Sequence, residues 1–391
     1  MTPDEHLAPA LDLIRANATQ ADRTGQLPRE NIDALRAAGA FAWSRACELG
    51  GDQHSNAAKV RLWEAIGGAD LATAWVWINY DWWVWELSGS RRLNPWPDLE
   101  RCLREEHAMC GTSAPVPGTR IERDEIVVNG SFPFATGCAF ATWVRPIVVV
   151  PGHAPEVGPR EGDRDSHIRS VILSLDHPGV RVERTWDSMG LRATHTDTVV
   201  ADDVRVPLAN SSLLVSDSNR RNPKFDIAGP YYREPGWAFT NSRIGACLVG
   251  AGQSAFDLAL ERLGGGRTLS TGRPGARFPS VRQGMAEAFI DLTAAREMLH
   301  GLALRGDERV ASETPCSDAE EEALWASGTA ASRMVLRALD QVLLALGANA
   351  LNRDVPFERI ARDIRTGVAH LALNQNFVLG RLSGYLFPEA R

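Results

Sequence analysis

A threonine set among small residues is the first group in this chain placed to do chemistry. In the run Phe134, Ala135, Thr136, Gly137, Cys138, the Thr136 hydroxyl can both donate and accept a hydrogen bond, and Gly137 lets the backbone approach a ring closely. Ordinary strand preference also accounts for a threonine here. The second group is His370, in RDIRTGVAHLALNQN. An imidazole near its unperturbed pKa of roughly 6.5 can deprotonate a hydroxyl or amine, or steady a bound oxygen. A lone histidine on an apolar helix face is otherwise a core residue. The third is an aromatic run holding Trp75, Trp77, Tyr80, Trp82, Trp83 and Trp85, in which Asn79 and Asp81 are the polar exceptions. It reads as core packing or as a substrate wall, with Trp82, Asn79 and Asp81 lining it; Asp81 could hold an amine or sit at a solvated helix end.

Other chemistries are disfavoured. Cys47, Cys102, Cys110, Cys138, Cys247 and Cys316 show no close pairs, which argues against zinc sites and disulfide frameworks and for reduced thiols. The net charge of −7 and the lack of a long Lys/Arg run argue against nucleic acid. There is no GxGxxG following a strand to bind NAD(P)H. The opening MTPDEHLAPALDLI lacks the regions of a signal peptide, and no apolar run reaches about 18 residues, so a cytoplasmic location without membrane insertion is expected.

The elements that must position these residues fall into blocks. Residues 1–107 carry apolar positions at three and four spacing, with Pro28 placed to start a helix, and KVRLWEAIGGADLATAWVWINYDWWVWELSG is long and apolar enough for one or two buried helices. Across 108–225 the pattern turns to short β-branched runs, IVVNGSFPF, WVRPIVVV, IRSVILSL, VRVERTWD and TVVADDVRVP, bounded by turn residues, as in antiparallel strands. PGHAPEVGPREGDRDSH reads as a solvated loop, and 210–237 as irregular. From 226 to 391 four long helical patterns imply a four-helix bundle, the last being FERIARDIRTGVAHLALNQNFVLGRL. Helices, strands, then helices is an α+β arrangement in which the β block needs the flanking helices to close its core.

That order, together with particular motifs, resembles the acyl-CoA dehydrogenase superfold. Trp186 to Pro207, WDSMGLRATHTDTVVADDVRVP, is similar to its Trp, Gly-Leu-Arg turn and closing Val-x-Val-Pro strand, and GANALNRDVPFERIARDIR to its Gly-rich turn and Arg-Asp pair. A dehydrogenase needs a carboxylate base. The family position nine residues after Arg362 holds Leu371, and the alternative position, before the first bundle arginine, holds Ser242. His370 beside the first position, and Phe134–Cys138 followed by Trp143, resemble instead the flavin monooxygenases of this superfold, among them phenol hydroxylases, dibenzothiophene monooxygenases and nitroso synthases.

The resemblance implies an oxygenase component of a two-component monooxygenase. It would take reduced flavin, FMN or FAD, from a separate flavin reductase. With dioxygen it would hydroxylate or N-oxidise a small molecule through a flavin 4a-hydroperoxide, and the family habit is a homotetramer. His370 and Thr136 would be catalytic. Thr112, Ser113, Phe134, Ala135, Thr136, Gly137, Arg192, Arg277, Gly347 and Asn349 would contact flavin, while Ala348 and Ala350 replace glycines of the dehydrogenase turn. Arg192 alternatively structures its own turn. Two other readings stand beside this one: an acyl-CoA dehydrogenase or oxidase with an unorthodox base at Asp81 or Glu86, and a scaffold of the same fold that binds no flavin.

Overall fold

The computed structural model describes residues 3–91, 96–112, 115–150, 168–213, 230–266 and 272–388. Two helices, α1 (Pro3–Thr24) and α2 (Arg29–Ala37), lead into α3 (Asn56–Ala69) and α4 (Leu71–Ser90), and the short α5 (Leu99–Arg104) follows. Pro28 is the N-cap of α2. Asp70 separates α3 from α4 by capping: its carboxylate accepts hydrogen bonds from the Thr73 N–H at 2.9 Å and the Thr73 hydroxyl at 2.7 Å. Being apolar on almost every side, α4 is buried except along Asn79, Trp83 and Glu86, whose spacing of four and three makes one stripe.

Among the described residues the β unit holds ten strands in three small sheets. Its longest pairing is antiparallel, β3 (Glu125–Ala135) with β9 (Asp197–Pro207), and the register shifts between Phe132 and Ala135. An all-antiparallel unit is not what forms. β1 (Met109–Gly111) runs parallel to β4 (Trp143–Arg145), because more than thirty residues of intervening chain return the second strand in the same direction. The segment 151–167 and most of 210–237 lie outside the described residues.

After the β unit come α6 (Gly236–Gly264), α7 (Pro279–Ser312) and α8 (Asp318–Leu346), then α9 (Pro356–Gly367) and α10 (Gln375–Leu386). The last helical pattern is therefore two helices. Its continuity breaks after Gly367, and Asn374 restarts it by accepting hydrogen bonds from the Asn376 and Phe377 N–H groups at 3.0 and 3.2 Å. His370 lies in this break, as N-cap of a 3₁₀ turn, and not on a helix face.

One hydrophobic core runs from the N-terminal helices into the C-terminal ones, joining Trp63, Trp77 and Phe41 to Phe239, Leu248 and Val335, while the β unit has its own core around Val128, Phe132, Val148 and Val199. At the α3–α6 seam the backbones touch: a side chain on Gly67 would strike the Cys247 backbone, and one on Gly250 the Glu64 backbone. Among the described residues no helix is long and apolar enough to cross a membrane.

Asp70 also takes the Arg359 guanidinium, NH1 to Oδ1 at 2.8 Å, with both side chains largely buried. Asp70→Ala removes a cap and strands a buried arginine, which should cost about 3 kcal/mol or more, read from the urea unfolding midpoint.

Candidate active site

The register shift in β3 sets up the first part of the site. Phe134 takes a left-handed backbone, φ +62°, and the residue is 54% exposed, a combination held only when the surroundings impose it. Next to it Thr136 and Gly137 are pinned on three sides. The Thr136 N–H donates to Phe134 O at 3.0 Å, and the Gly137 N–H to Thr194 O at 2.9 Å. The buried Tyr80 hydroxyl donates to Gly137 O at 2.6 Å. Gly137 has φ +78°, and a Cβ there would lie 2.7 Å from the Tyr80 oxygen, so glycine is required twice over.

The direction of the hydroxyl chain behind Thr136 follows from proton counting. Thr194 Oγ1 donates to Leu191 O at 3.0 Å. Its single proton is thus engaged, so the 2.7 Å contact with Thr196 Oγ1 must be donated by Thr196. By the same rule the 3.1 Å contact between Thr136 and Thr196 is donated by Thr136. The buried Thr136 oxygen is left with acceptor capacity toward anything that enters.

Leu191, which terminates that chain, is itself held. Its carbonyl also accepts from Trp186 Nε1 at 2.8 Å, and its N–H donates to Asp363 Oδ1 at 2.6 Å. The Trp186 ring meets Phe134 edge-on, centroids 6.4 Å apart. Arg362 grips the loop too, donating to Met189 O at 2.8 Å and to both Asp22 oxygens at 3.0 and 2.7 Å. The Arg-Asp pair of the sequence motif is a clamp on the Gly-Leu-Arg turn. Burial, reinforced by Asp70 nearby and only partly offset by Arg359, pushes the Asp363 carboxyl up to about 7.

His370 enters from the break after α9. The Ala372 N–H donates to its Nδ1 at 3.2 Å, which leaves the proton of the neutral ring on Nε2. Its ring stands edge-on to Trp75 of α4, centroids 5.6 Å apart. The residue is exposed, and crowding by the surrounding protein lowers the imidazole pKa below its ordinary value. The imidazole is a neutral Nε2–H donor at pH 7. Because α4 carries both Trp75 and Tyr80, it ties His370 and the Thr136 turn to one rigid rod, with contact points about 7.5 Å apart along the axis.

The remaining predicted residues are dispersed. Ala135 is buried in the β core, and Thr112 accepts from the Ile147 N–H at 3.2 Å, joining strands. Ser113 lies outside the described residues. Arg192 donates to Asp22 O at 3.2 Å and Ser188 O at 3.5 Å, contacts that structure its own turn. Arg277 is exposed ahead of α7. Gly347, φ +70°, ends α8, and Asn349 beyond it lines an open recess of about 560 Å³ with Arg262, Asn352, Asp354 and Val355, whose lining includes neither Thr136 nor His370. Asn79 donates to Trp75 O at 2.9 Å within α4, and Trp82 is buried, stacked on Trp85 at 5.3 Å. Asp81 is not at a solvated helix end. It sits mid-helix, 1% exposed, away from the Asn79 stripe because two residues along a helix turn the side chain by about 200°. Glu86 Oε2 accepts a hydrogen bond from Arg145 NH1 at 2.5 Å. Glu86 is thus engaged, and Asp81 stands enclosed in the core beside Arg243, 3.7 Å away.

With this geometry in place, the chain can be set beside known proteins. Residues 242–375 match the family described as acyl-CoA dehydrogenase, C-terminal domain. A solved structure, XiaF from Streptomyces sp. in complex with FADH2 and glycerol, superposes with a TM-score of 0.85 at 19% identity, covering 98% of this chain and 94% of that one. This chain has the acyl-CoA dehydrogenase fold. Among curated relatives, the oxygenase subunit HsaA of a flavin-dependent monooxygenase from Rhodococcus jostii is 26% identical, covering 94% of each chain. A 3-sulfinopropanoyl-CoA desulfinase from Paraburkholderia xenovorans is 28% identical, covering 98% of this chain and 95% of the relative.

Within this fold the sequence reading missed Thr194 and Thr196, and also the partners of Asp363. A signal for the threonines was present: Thr194, Thr196 and Thr198 alternate in ATHTDT, and a period of two puts them on one side of an extended segment. Asp363 gives a pH test. Its folded pKa lies above the unfolded value, so its favourable contribution is complete below pH ~4 and is lost as pH rises through ~7. Urea midpoints should therefore fall less between those pH values in Asp363→Asn than in the unaltered chain.

Proposed function

We propose that this protein is the oxygenase component of a two-component monooxygenase, working in the cytoplasm on a small molecule with dioxygen and reduced flavin from a separate reductase. One observation carries the reading: at the turn where a flavin ring would be held, the polar group on offer is the directed, acceptor-only Thr136 hydroxyl. The carboxylates described around it are engaged: Asp81 faces Arg243, Glu86 is bound to Arg145, and Asp197, opposite Ala135, accepts from the Thr185 and Trp186 N–H groups. Leu371 and Ser242 occupy the positions where a proton-abstracting acid would stand. HsaA, named as an oxygenase subunit, and XiaF, solved with FADH2, support the same reading.

The residues present fit a flavin. Phe134 offers an exposed aromatic side chain on a strained bulge, Gly137 lets the turn pack closely against Tyr80, and Thr136 supplies an acceptor. Reduced flavin, when bound, supplies the electrons that dioxygen needs to react with an organic molecule. The chain's part is to hold, orient and exclude water. His370 donates its Nε2–H to an oxygen atom of the substrate or oxidant. To act as a base it would first have to move its proton to Nδ1 and give up the Ala372 hydrogen bond.

Self-association belongs to the same proposal. Phe289 and Ile290 on α7, with Phe377 and Leu386 on α10 and Phe387 beyond it, are exposed apolar side chains that a second copy would cover. Light scattering should give four times the 42.7 kDa chain mass, and a monomer would exclude this arrangement.

The activity is tested by supplying purified protein with chemically reduced FAD or FMN in air and, separately, with acyl-CoA and an artificial electron acceptor. Oxygen-dependent oxidation of an added phenol, amine or thioether supports the proposal; acyl-CoA oxidation without it overturns it. Thr136→Val should weaken reduced-flavin binding about tenfold, and Thr136→Ser should restore most of it.

A further inference from the structure

On the side of α4 away from Asn79 and Glu86, three ionisable side chains meet inside the helical core without hydrogen bonds. Lys59 of α3, Asp81 of α4 and Arg243 of α6 are 0%, 1% and 0% exposed. Arg243 NH1 stands 3.7 Å from Asp81 Oδ2, beyond hydrogen-bonding distance. Neither Asp81 oxygen, none of the guanidinium nitrogens, and not the Lys59 Nζ has a hydrogen-bond partner, and the buried Tyr231 hydroxyl has none either. Lys59 Nζ lies 4.2 Å over the Tyr231 ring. The Arg243 guanidinium carbon is 4.5, 4.8 and 5.8 Å from the ring centroids of Trp63, Phe239 and Trp85.

The interior treats its other charges differently. Arg309 reaches Glu234 at 2.7 Å, and Arg359 reaches Asp70 at 2.8 Å. The nearby Asp307 accepts from the Asn56 and Ala57 N–H groups at 2.6 and 3.0 Å, so it and Glu234 already have partners. The Lys59–Arg243–Asp81 group sets two basic side chains against one carboxylate, and it carries more N–H donors than one carboxylate can accept. Burial lowers the pKa of both Lys59 and Arg243, and the nearby Arg243 lowers that of Lys59 further. What such a group lacks is an anion rich in acceptor oxygens.

We propose that Lys59, Arg243 and Tyr231 form a recognition subsite for the carboxylate of a small aromatic acid, with Asp81 orienting the guanidinium and the surrounding tryptophans packing the apolar body. The subsite rests on the monooxygenase reading and narrows its substrate to carboxylic acids. It lies level with the Thr136 turn along α4, since Tyr80, the neighbour of Asp81, holds the Gly137 carbonyl.

Phenylacetate and the near-isosteric, uncharged phenylacetamide serve as probes in thermal unfolding of the full chain at fixed ionic strength. Phenylacetate should raise Tm by roughly 2–4 °C and phenylacetamide should not. Lys59→Met keeps the volume and removes the charge, so it should raise the ligand-free Tm and abolish the phenylacetate shift. Equal shifts from the two probes, no shift from either, or a shift retained in Lys59→Met would overturn the subsite. A Lys59→Met protein that is less stable without ligand would mark the lysine as structural and overturn it too. Titrating the unaltered chain with reduced flavin tests the monooxygenase reading by itself, so either can fail while the other stands.

Discussion

The site depends on a buried knot of two carboxylates around one guanidinium. Asp70 caps α4 and takes Arg359; Arg359 stands 3.4 Å from Asp363; Asp363 takes the Leu191 N–H. Three parts of the chain that are remote in sequence, the start of α4, the body of α9 and the turn after β8 (Val180–Glu183), are locked in register by these contacts. A buried ionic knot adds little net stability compared with apolar packing, but losing one partner strands the others, so the geometry is strongly enforced.

From that register the chemistry follows. With Leu191 fixed, its carbonyl is a fixed acceptor. The Thr194, Thr196 and Thr136 protons must then all point toward it, and Thr136 presents lone pairs outward. The same α9 that carries the knot delivers His370 to Trp75, and the α4 capped by Asp70 delivers Tyr80 to Gly137. Around α4 these contacts set a hydrogen-bond acceptor at Thr136 beside the exposed Phe134, and the His370 imidazole at Trp75. That combination suits stabilising a bound ring and an oxygen atom better than it suits removing a proton from carbon.

Much of this was legible in the sequence, and for identifiable reasons. The long apolar run gave α3 and α4 because it exceeds strand length, and Asp70 divides them as a cap should. The β-branched runs became strands, and the Phe134–Gly137 stretch lies where β3 loses register. The continuity of α9 into α10 was misread because the apolar spacing carries on across Gly367 to Asn374, while the capping that breaks it uses side-chain geometry. Of the two readings of Asp81, the solvated helix end fails, because α4 is apolar nearly all round and the spacing hides which face is open. The donor order of the threonine chain was beyond reach: it joins residues sixty positions apart and depends on where the last proton goes.

The central claim is that Thr136 offers only an acceptor to the flavin ring. Reduced flavin carries an N–H on its central ring where the oxidised form carries a bare acceptor nitrogen, so the two redox states sense this difference directly. Anaerobic titrations of one protein preparation with reduced and with oxidised FAD give the ratio of dissociation constants. Tighter binding of the reduced form, by about tenfold or more, is the predicted result. Equal affinities, or a preference for the oxidised form, would contradict it.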